Sequence, residues 1–461
     1  MCSVSALPVD HFTALLDNNP VERSTTMTLP IGDTMHIYAS FESGVDYTVR
    51  IKVRMRDAVD GGILEESLRK TEQRYPYFSV RLVKSGQAYD YEKNPAPVAL
   101  LHTSRKVTLN SPETNGQVWA VCYEDDCIYL DFFHGITDGT GMYMVLATLL
   151  YYYCNGRYGL TDHTGVHTLE EPVTPQELYD PLATPLAERL MREGAVSVSE
   201  DGLFGTFEQP KNAPSEAFTI LQDGGAAPTE PTIYDIEIPE RAFVSFTSAS
   251  DASPGTMVSL LLLRALDKLY PQRTKPLIGT YVVNARPMVG AVGTYHNCIS
   301  SLDFTYEGKL REMPFASQNT AFRGITFLGS DDEKVQRNMA GFDRTVRGIL
   351  ASCPTLEEKR IAFAKMRTAS VNRHTSIVSY TGQWAFPATG QYIREMWVHA
   401  PSANNCLGEL AAVGGKILLS LHFCSDSRDL VDLFFEELTA NAIPYELRRV
   451  APNDVPAFAE P

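Results

Sequence analysis

The sequence predicts an α/β protein of two lobes, and three observations carry that prediction. Strand-like and helical runs alternate: Tyr47–Met55 reads YTVRIKVRM, the polar/apolar alternation of a half-buried strand, and Ile63–Glu72 places Leu64, Leu68 and Thr71 at helical spacing. Between the halves, Gly194–Pro231 is rich in Gly, Pro, Ser and acidic residues with weak periodicity, which reads as a linker or surface excursion. Finally, residues 127–153 and 417–438 both run strand, His, three residues, Asp, apolar helix. That is either a weak internal repeat or the coincidence of two strand–helix units. The expected division is an N-terminal lobe over 1–195, a linker over 196–231 and a C-terminal lobe over 232–461.

The elements follow in order. Tyr75-Pro76-Tyr77 stops the first helix. Gln117–Glu124 and Cys127–Phe133 read as strands around the Asp125–Asp126 turn, and an apolar helix is expected over Met142–Tyr153. Thr232–Ile238 is strand-like. Ser253 caps, and Pro254 opens, a strongly apolar helix ending near Tyr270-Pro271. Leu277–Asn284 and Cys298–Tyr306 are further strands.

Composition narrows the function. The 461 residues are 44% hydrophobic and 21% charged, a globular balance that argues against a largely disordered chain. Forty Lys and Arg against 56 Asp and Glu leave a net charge of −16, which repels phosphate backbones and sets nucleic acid aside. No run approaches the roughly 18 apolar residues that span a bilayer. The start MCSVSALPVDHF lacks the basic and apolar regions of a secretory signal, so the expected location is cytoplasmic. The eight cysteines form no C-x-x-C pair. Cys122 and Cys127 flank one turn, but reduced core thiols are the expectation. His163, His167 and Glu170 lie around Gly165 without the H-E-x-x-H order, and no metal is expected there. No G-x-S-x-G elbow, P-loop or dinucleotide fingerprint is present.

One segment carries chemistry: Asp131–Gly141, DFFHGITDGTG. His134 follows a hydrophobic strand that would hold its ring at a sheet edge. Gly135 permits a sharp exit and close approach, and Asp138 and Gly139 open the helix. Histidine is the side chain best suited to take and return a proton near neutral pH. H-x-x-x-D alone is weak, and His422–Asp426 matches it too, but without a glycine after the Asp, so that copy reads as structural.

The longer H-G-x-x-D-G, between strand and helix, resembles the active-site motif of the chloramphenicol acetyltransferase-like superfamily. That group includes alcohol O-acyltransferases, polyketide-associated acyltransferases and condensation domains of nonribosomal peptide synthetases. Asn284-Ala285-Arg286-Pro287, Gly293–Ser301 (GTYHNCISS) and Ser379-Tyr380-Thr381-Gly382 are similar to later elements of the family, in the same order over about residues 25–450. The resemblance implies the two-lobed acetyltransferase-like fold, mixed sheets covered by helices, with an active-site channel between the lobes. It implies His134 as general base, Asp138 as structural support in an ion pair with Arg286, and the Gly139 backbone N–H as an oxyanion donor. Asn297 and Ser379 would shape the acyl site. From the residues alone, Asp138 reads equally as a helix N-cap, and Arg286 could be a surface arginine beside a turn proline.

The expected activity is acyl transfer from an acyl-CoA or acyl-phosphopantetheine thioester to a small-molecule alcohol or amine, with no bound cofactor or metal. Phe133 stands where many condensation domains have a second histidine, which favours O-acylation. A stand-alone condensation enzyme using acyl-carrier proteins, and a scaffold that has lost the chemistry, are the alternatives. The expected state is a monomer. Residues 337–373 hold eight Lys and Arg against three acids and could greet an anionic donor, though a solvated helix face is the plainer reading.

Overall fold

The computed structural model describes residues 26–27, 30–43, 47–182, 189, 192, 216–401 and 406–461. Most of the expected linker, including 196–215, lies outside them. Two large sheets organise the chain. The first contains β1 (Thr48–Met55), β2 (Leu100–His102), β3 (Trp119–Glu124) and β4 (Cys127–Phe133). The second contains β5 (Pro228–Pro239), β6 (Leu277–Asn284), β7 (Ile299–Tyr306), β8 (Ser376–Gln383), β10 (Cys406–Val413), β11 (Lys416–Ser425) and β12 (Glu446–Pro452). One strand crosses over: β9 (Ile393–His399) joins the edge of the first sheet, antiparallel to β1. The orders are β9-β1-β4-β3-β2 and β7-β6-β8-β10-β11-β5-β12. The first sheet therefore draws a strand from far beyond residue 232, and β5 begins at Pro228, inside the stretch read as linker.

The pairing is mixed in both sheets. β4 runs antiparallel to both β1 and β3, whereas β6, β8 and β10 are mutually parallel. There are two apolar cores: one gathers on the first sheet and also takes Ala411 and Val413 of β10 and Leu418 of β11, and the other lies on the second sheet. All seven residues of β4 are buried, so the strand that precedes His134 is held on both faces.

β1 departs from the half-buried strand that its alternation predicts: its polar Arg50 is fully buried. Arg50 lies opposite Asp131 in the β1–β4 register, and Nε and Nη2 donate to the two carboxylate oxygens at 2.8 Å. The carbonyls of Ser104 and Arg105 take further N–H groups. A buried guanidinium is tolerated here because its donors have acceptors and its charge has a counter-charge.

The helices are stopped and started by their caps. α1 (Ile31–Ser43) precedes β1, and α2 (Gly61–Arg74) starts at Asp60, whose carboxylate accepts from the Gly62 and Ile63 amides. α3 runs from Gly139 to Tyr158, longer than its apolar core indicates, because Asp138 caps one end and Gly159, at φ 72°, ends the other. α4 (Pro254–Leu269) carries a Ser253–Thr256 capping box. Two long helices of the second half, α5 (Asp332–Ser352) and α6 (Leu356–Val371), come next, and α7 (Arg428–Ala440) follows β11. No helix among the described residues is long and apolar enough to cross a membrane. Cys122 and Cys127 are free thiols.

The two strand–helix units proposed as a repeat, β4–α3 and β11–α7, each place their strand between antiparallel neighbours. Their ends differ. Asp426 is exposed and no side chain caps α7. His422 is fully buried, with Nδ1 at 3.2 Å from the Leu407 carbonyl and Nε2 accepting from the Ala400 amide.

A buried charge cluster ties the sheets together beside His422. His399, at the end of β9, sets Nδ1 against Asp454 at 2.6 Å and Nε2 against Asp235 of β5 at 3.2 Å. Burial alone would lower its pKa, but the two carboxylates outweigh it and push it up to about 9. The unfolded chain releases this proton near 6.5, so the stabilisation is fully present below that pH and is lost as pH rises through about 9. Urea unfolding of the wild type between pH 6.5 and 9.5 should show a loss on the order of 2–3 kcal/mol that His399→Gln does not show. Parallel profiles for the two proteins would refute the assignment.

Candidate active site

His134 leaves the end of β4 and is only partly buried. Its backbone is clamped on both sides: the N–H donates to the Tyr47 carbonyl at 2.6 Å, and the carbonyl accepts from Asn297 Nδ2 at 2.9 Å. The ring lines a cavity of 300 Å³ between the sheets, and Nδ1 is sealed without a protein partner. Nε2 has no recorded protein partner and is not among the sealed atoms, which leaves it open to the cavity. This is the opposite of His422, whose two ring nitrogens are both engaged in the core.

Gly135 is needed for steric reasons. A Cβ there would collide with the Phe133 ring and press on Ile37 of α1 at 3.0 Å. Phe133 itself points away from the cavity and stacks on Phe458, with ring centroids 3.9 Å apart. A second imidazole does stand beside His134, but it comes from α1. The His36 ring lies 4.8 Å from that of His134, tilted by 33°. Burial, and next the charges of His134 and Arg367, hold His36 well below its usual pKa, so it is neutral near pH 7.

Asp138 lies four residues beyond His134 and is buried. Its Oδ1 accepts from the Gly141 amide at 3.0 Å, capping α3, and from Arg286 Nη2 at 2.7 Å. Oδ2 accepts from Arg286 Nη1 and the Cys298 amide, both at 2.9 Å. Cap and ion pair therefore coexist on one carboxylate. Burial would raise the Asp138 pKa, but the Arg286 charge, its hydrogen bonds and the two amides hold it below the usual carboxylate range. Arg286 is as fully used: beyond Asp138 it donates to the Thr294 and His296 carbonyls and to Asn284 Oδ1. The pair joins the start of α3 to the segment after β6.

Gly139 and Thr140, in the first turn of α3, line the cavity. The first amides of a helix have no intrahelical acceptor, and here the Gly141 amide is taken by Asp138. Gly139 is backed by Thr381 of β8, whose Cγ2 lies 3.1 Å from where a Cβ would stand. β8 and β10 change register between Tyr380 and Gln383, and Gly382 adopts φ 94° there. Thr381 donates to Tyr143 of α3 at 2.8 Å, fastening this irregular strand to the helix.

Asn297 does not present its amide to the cavity. Nδ2 is shared between the His134 carbonyl and Asp33 Oδ1, and Asp33 also takes the Asn297 amide and faces His296 Nδ1 at 2.8 Å. Ser379 does line the cavity, beside its β10 register partner Glu409. Burial raises the Glu409 carboxyl to about 7, and a hydrogen bond from Ser379 offsets only part of that.

Asp33, His36 and Glu409 escape sequence reasoning. Asp33 and His36 share a face of α1 at i, i+3, the one local signal available, and Glu409 stands in an ordinary strand. The His163–His167 loop borders a separate surface depression of 460 Å³ that shares no lining residue with the cavity, and His167 faces Glu171 at 2.8 Å. Among the described residues no three His, Cys, Asp or Glu side chains converge as a metal site. The basic stretch is largely committed elsewhere: Arg337 pairs with Glu333, Arg347 with Asp343 and Arg360 with Glu460. Arg367 reaches the Tyr47 hydroxyl at the cavity wall.

No family model and no curated protein matches the chain by sequence. Solved structures do match in three dimensions. TRI101 of F. sporotrichioides, complexed with coenzyme A and T-2, gives a TM-score of 0.57 at 12% identity over 91% of this chain and 99% of that one. The first condensation domain of the CDA synthetase gives 0.55 at 12% identity, covering 91% and 96%. Polyketide synthase associated protein 5 from Mycobacterium tuberculosis gives 0.54 at 12% identity, covering 89% and 97%. The chain therefore has the two-lobed fold of the acetyltransferase-like and condensation-domain structures.

Breaking the Asp138–Arg286 pair from one side leaves a buried charge. Asp138→Asn and Arg286→Gln should each cost about 3–5 kcal/mol in urea unfolding, and the double variant less than their sum. His134→Ala, at a partly exposed position, should cost no more than about 1 kcal/mol. Additive losses in the pair would show that the contact does not couple the lobes.

Proposed function

We propose that this chain transfers an acyl group from a thioester donor to a small alcohol or amine, with His134 as general base. The observation that carries the reading is the single open nitrogen of a clamped histidine in an apolar cavity walled by both sheets. An acceptor hydroxyl in that cavity gives its proton to His134 Nε2 as its oxygen attacks the thioester carbon. The C–O bond forms, the C–S bond breaks, and the imidazolium returns the proton to the departing thiolate. Gly139 borders the position where the tetrahedral oxyanion would form, and its backbone N–H is the proposed donor. Neutral His36 supports the step by filling space beside the base without adding a second positive charge. Asp138 and Arg286 act through structure, Asn297 positions His134 through its carbonyl, and Ser379 shapes the cavity wall.

The donor class is acyl-CoA, or the phosphopantetheine of a carrier protein that has the same reactive end. TRI101 of F. sporotrichioides was solved with coenzyme A and a small molecule, which supports a free coenzyme A thioester. The near-complete overlap with a condensation domain keeps the carrier-bound donor as the second reading.

Thiol release from a panel of acyl-CoA donors with mixed alcohols and amines should depend on acceptor. His134→Ala should lower kcat by roughly 10²–10⁴ with a smaller change in KM. Release that survives in the variant would sink the mechanism. Turnover only with loaded carrier proteins would select the condensation reading, and silence with both donor classes would favour a binding module.

A further inference from the structure

We infer that the acceptor taken by this cavity carries a protonated amine, held by Glu409 and Ser379, apart from the hydroxyl that His134 activates. The inference rests on the acyl-transfer reading and names the acceptor class within it. The cavity wall is mostly apolar, built by Val49, Ile51, Phe132, Val282, Ile377 and Leu407. Two carboxylates reach it. Asp138 is neutralised by Arg286, whereas Glu409 has no ion-pair partner among the described residues, and its one recorded hydrogen bond is from Ser379. The remaining ionisable groups of the wall are the histidines at 36 and 134 and three tyrosines, of which Tyr143 feels the Glu409 charge.

A guest that fills an apolar cavity strips water from any charge in its wall. For Glu409 a hydroxyl would supply a hydrogen bond and leave the charge unbalanced, whereas an ammonium supplies both. Burial already holds this carboxyl up to about 7, so a cation arriving near neutral pH favours its ionised form. The location fits a guest that spans both groups. Ser379 lies two residues before Thr381, which backs Gly139 at the start of α3, so the Glu409–Ser379 pair is a strand repeat away from the proposed oxyanion donor. The arrangement also directs the reaction. A protonated nitrogen has no lone pair with which to attack, so the acyl group goes to the oxygen facing His134 while the ammonium is unchanged. The hydroxyl proton passes to His134 and on to the thiolate as the ester forms.

A matched pair of alcohols tests this: a dimethylamino alcohol and the isopropyl alcohol of the same shape, offered with one acyl-CoA donor. The tertiary nitrogen forms no stable amide, so thiol release counts ester. The wild type should favour the cationic alcohol by at least about tenfold in kcat/KM, and that ratio should collapse towards one in Glu409→Gln and fall partway in Ser379→Ala. A wild-type ratio near one, or a ratio that persists in Glu409→Gln, overturns the inference. Calorimetric binding of both alcohols to the wild type without donor reads the same discrimination whether or not the variant folds. Tighter binding of the cation with no thiol release from any donor would refute acyl transfer and keep the Glu409 site. Turnover with equal binding of the two would do the reverse.

Discussion

The Asp138–Arg286 contact is the constraint on which the site depends. One carboxylate does three things: it caps α3, pairs with an arginine from the far side of β6, and accepts the Cys298 amide. Each task alone is common. Together they fix the start of α3 against the second sheet, and the loop carrying His134 has no freedom left once β4 and α3 are placed. The arginine has as little slack, since its guanidinium is spread over a carboxylate, a side-chain amide and two carbonyls. Such a pair contributes little net stability relative to an apolar replacement. It joins the start of α3 to the segment after β6 with both charges satisfied.

Around that fixed point the cavity keeps its ionisable groups in different states. His36 is held neutral by burial next to His134, and Asp138 is held charged by Arg286. Glu409, half-buried in the cavity wall without a cation among the described residues, is left between the two. A few ångströms of environment separate three groups that would titrate within a few pH units of one another in water. The His399 cluster shows the reverse outcome, a buried histidine kept charged because two carboxylates face it. Neighbouring His422, with no carboxylate in contact, is pushed down to about 4 by burial and then by the charge of His399.

The His422 segment shows how far local pattern can be taken. It repeats the strand–His–Asp–helix spacing of the first copy, yet its histidine is sealed and its aspartate is exposed. The glycines after His134 and Asp138 mark the difference, because Gly135 and Gly141 sit where a Cβ would strike Phe133 or the Tyr295 carbonyl. Strand and helix periodicity likewise located β4, α3, α4 and β6 from residues adjacent in the chain. It located β1 as well but missed how fully that strand is buried, because Arg50 sits at a position that alternation assigns to solvent. The missing information was Asp131, which is 81 residues away.

The sequence by itself determined the two-lobed α/β fold and the identity of the histidine worth testing. Strands, helices and the division into two halves follow from hydrophobic period and capping residues, whereas the particular fold and the role of the histidine follow from the resemblance that H-G-x-x-D-G and the later segments carry. Only the tertiary structure decided what surrounds that histidine. His36 arrives from α1 and Glu409 from β10, neither marked by its own segment, and Asn297, which its segment did mark, holds the His134 carbonyl rather than the cavity. What makes them part of one site is desolvation and charge within a shared cavity, and those are properties of assembled neighbours rather than of any segment read alone.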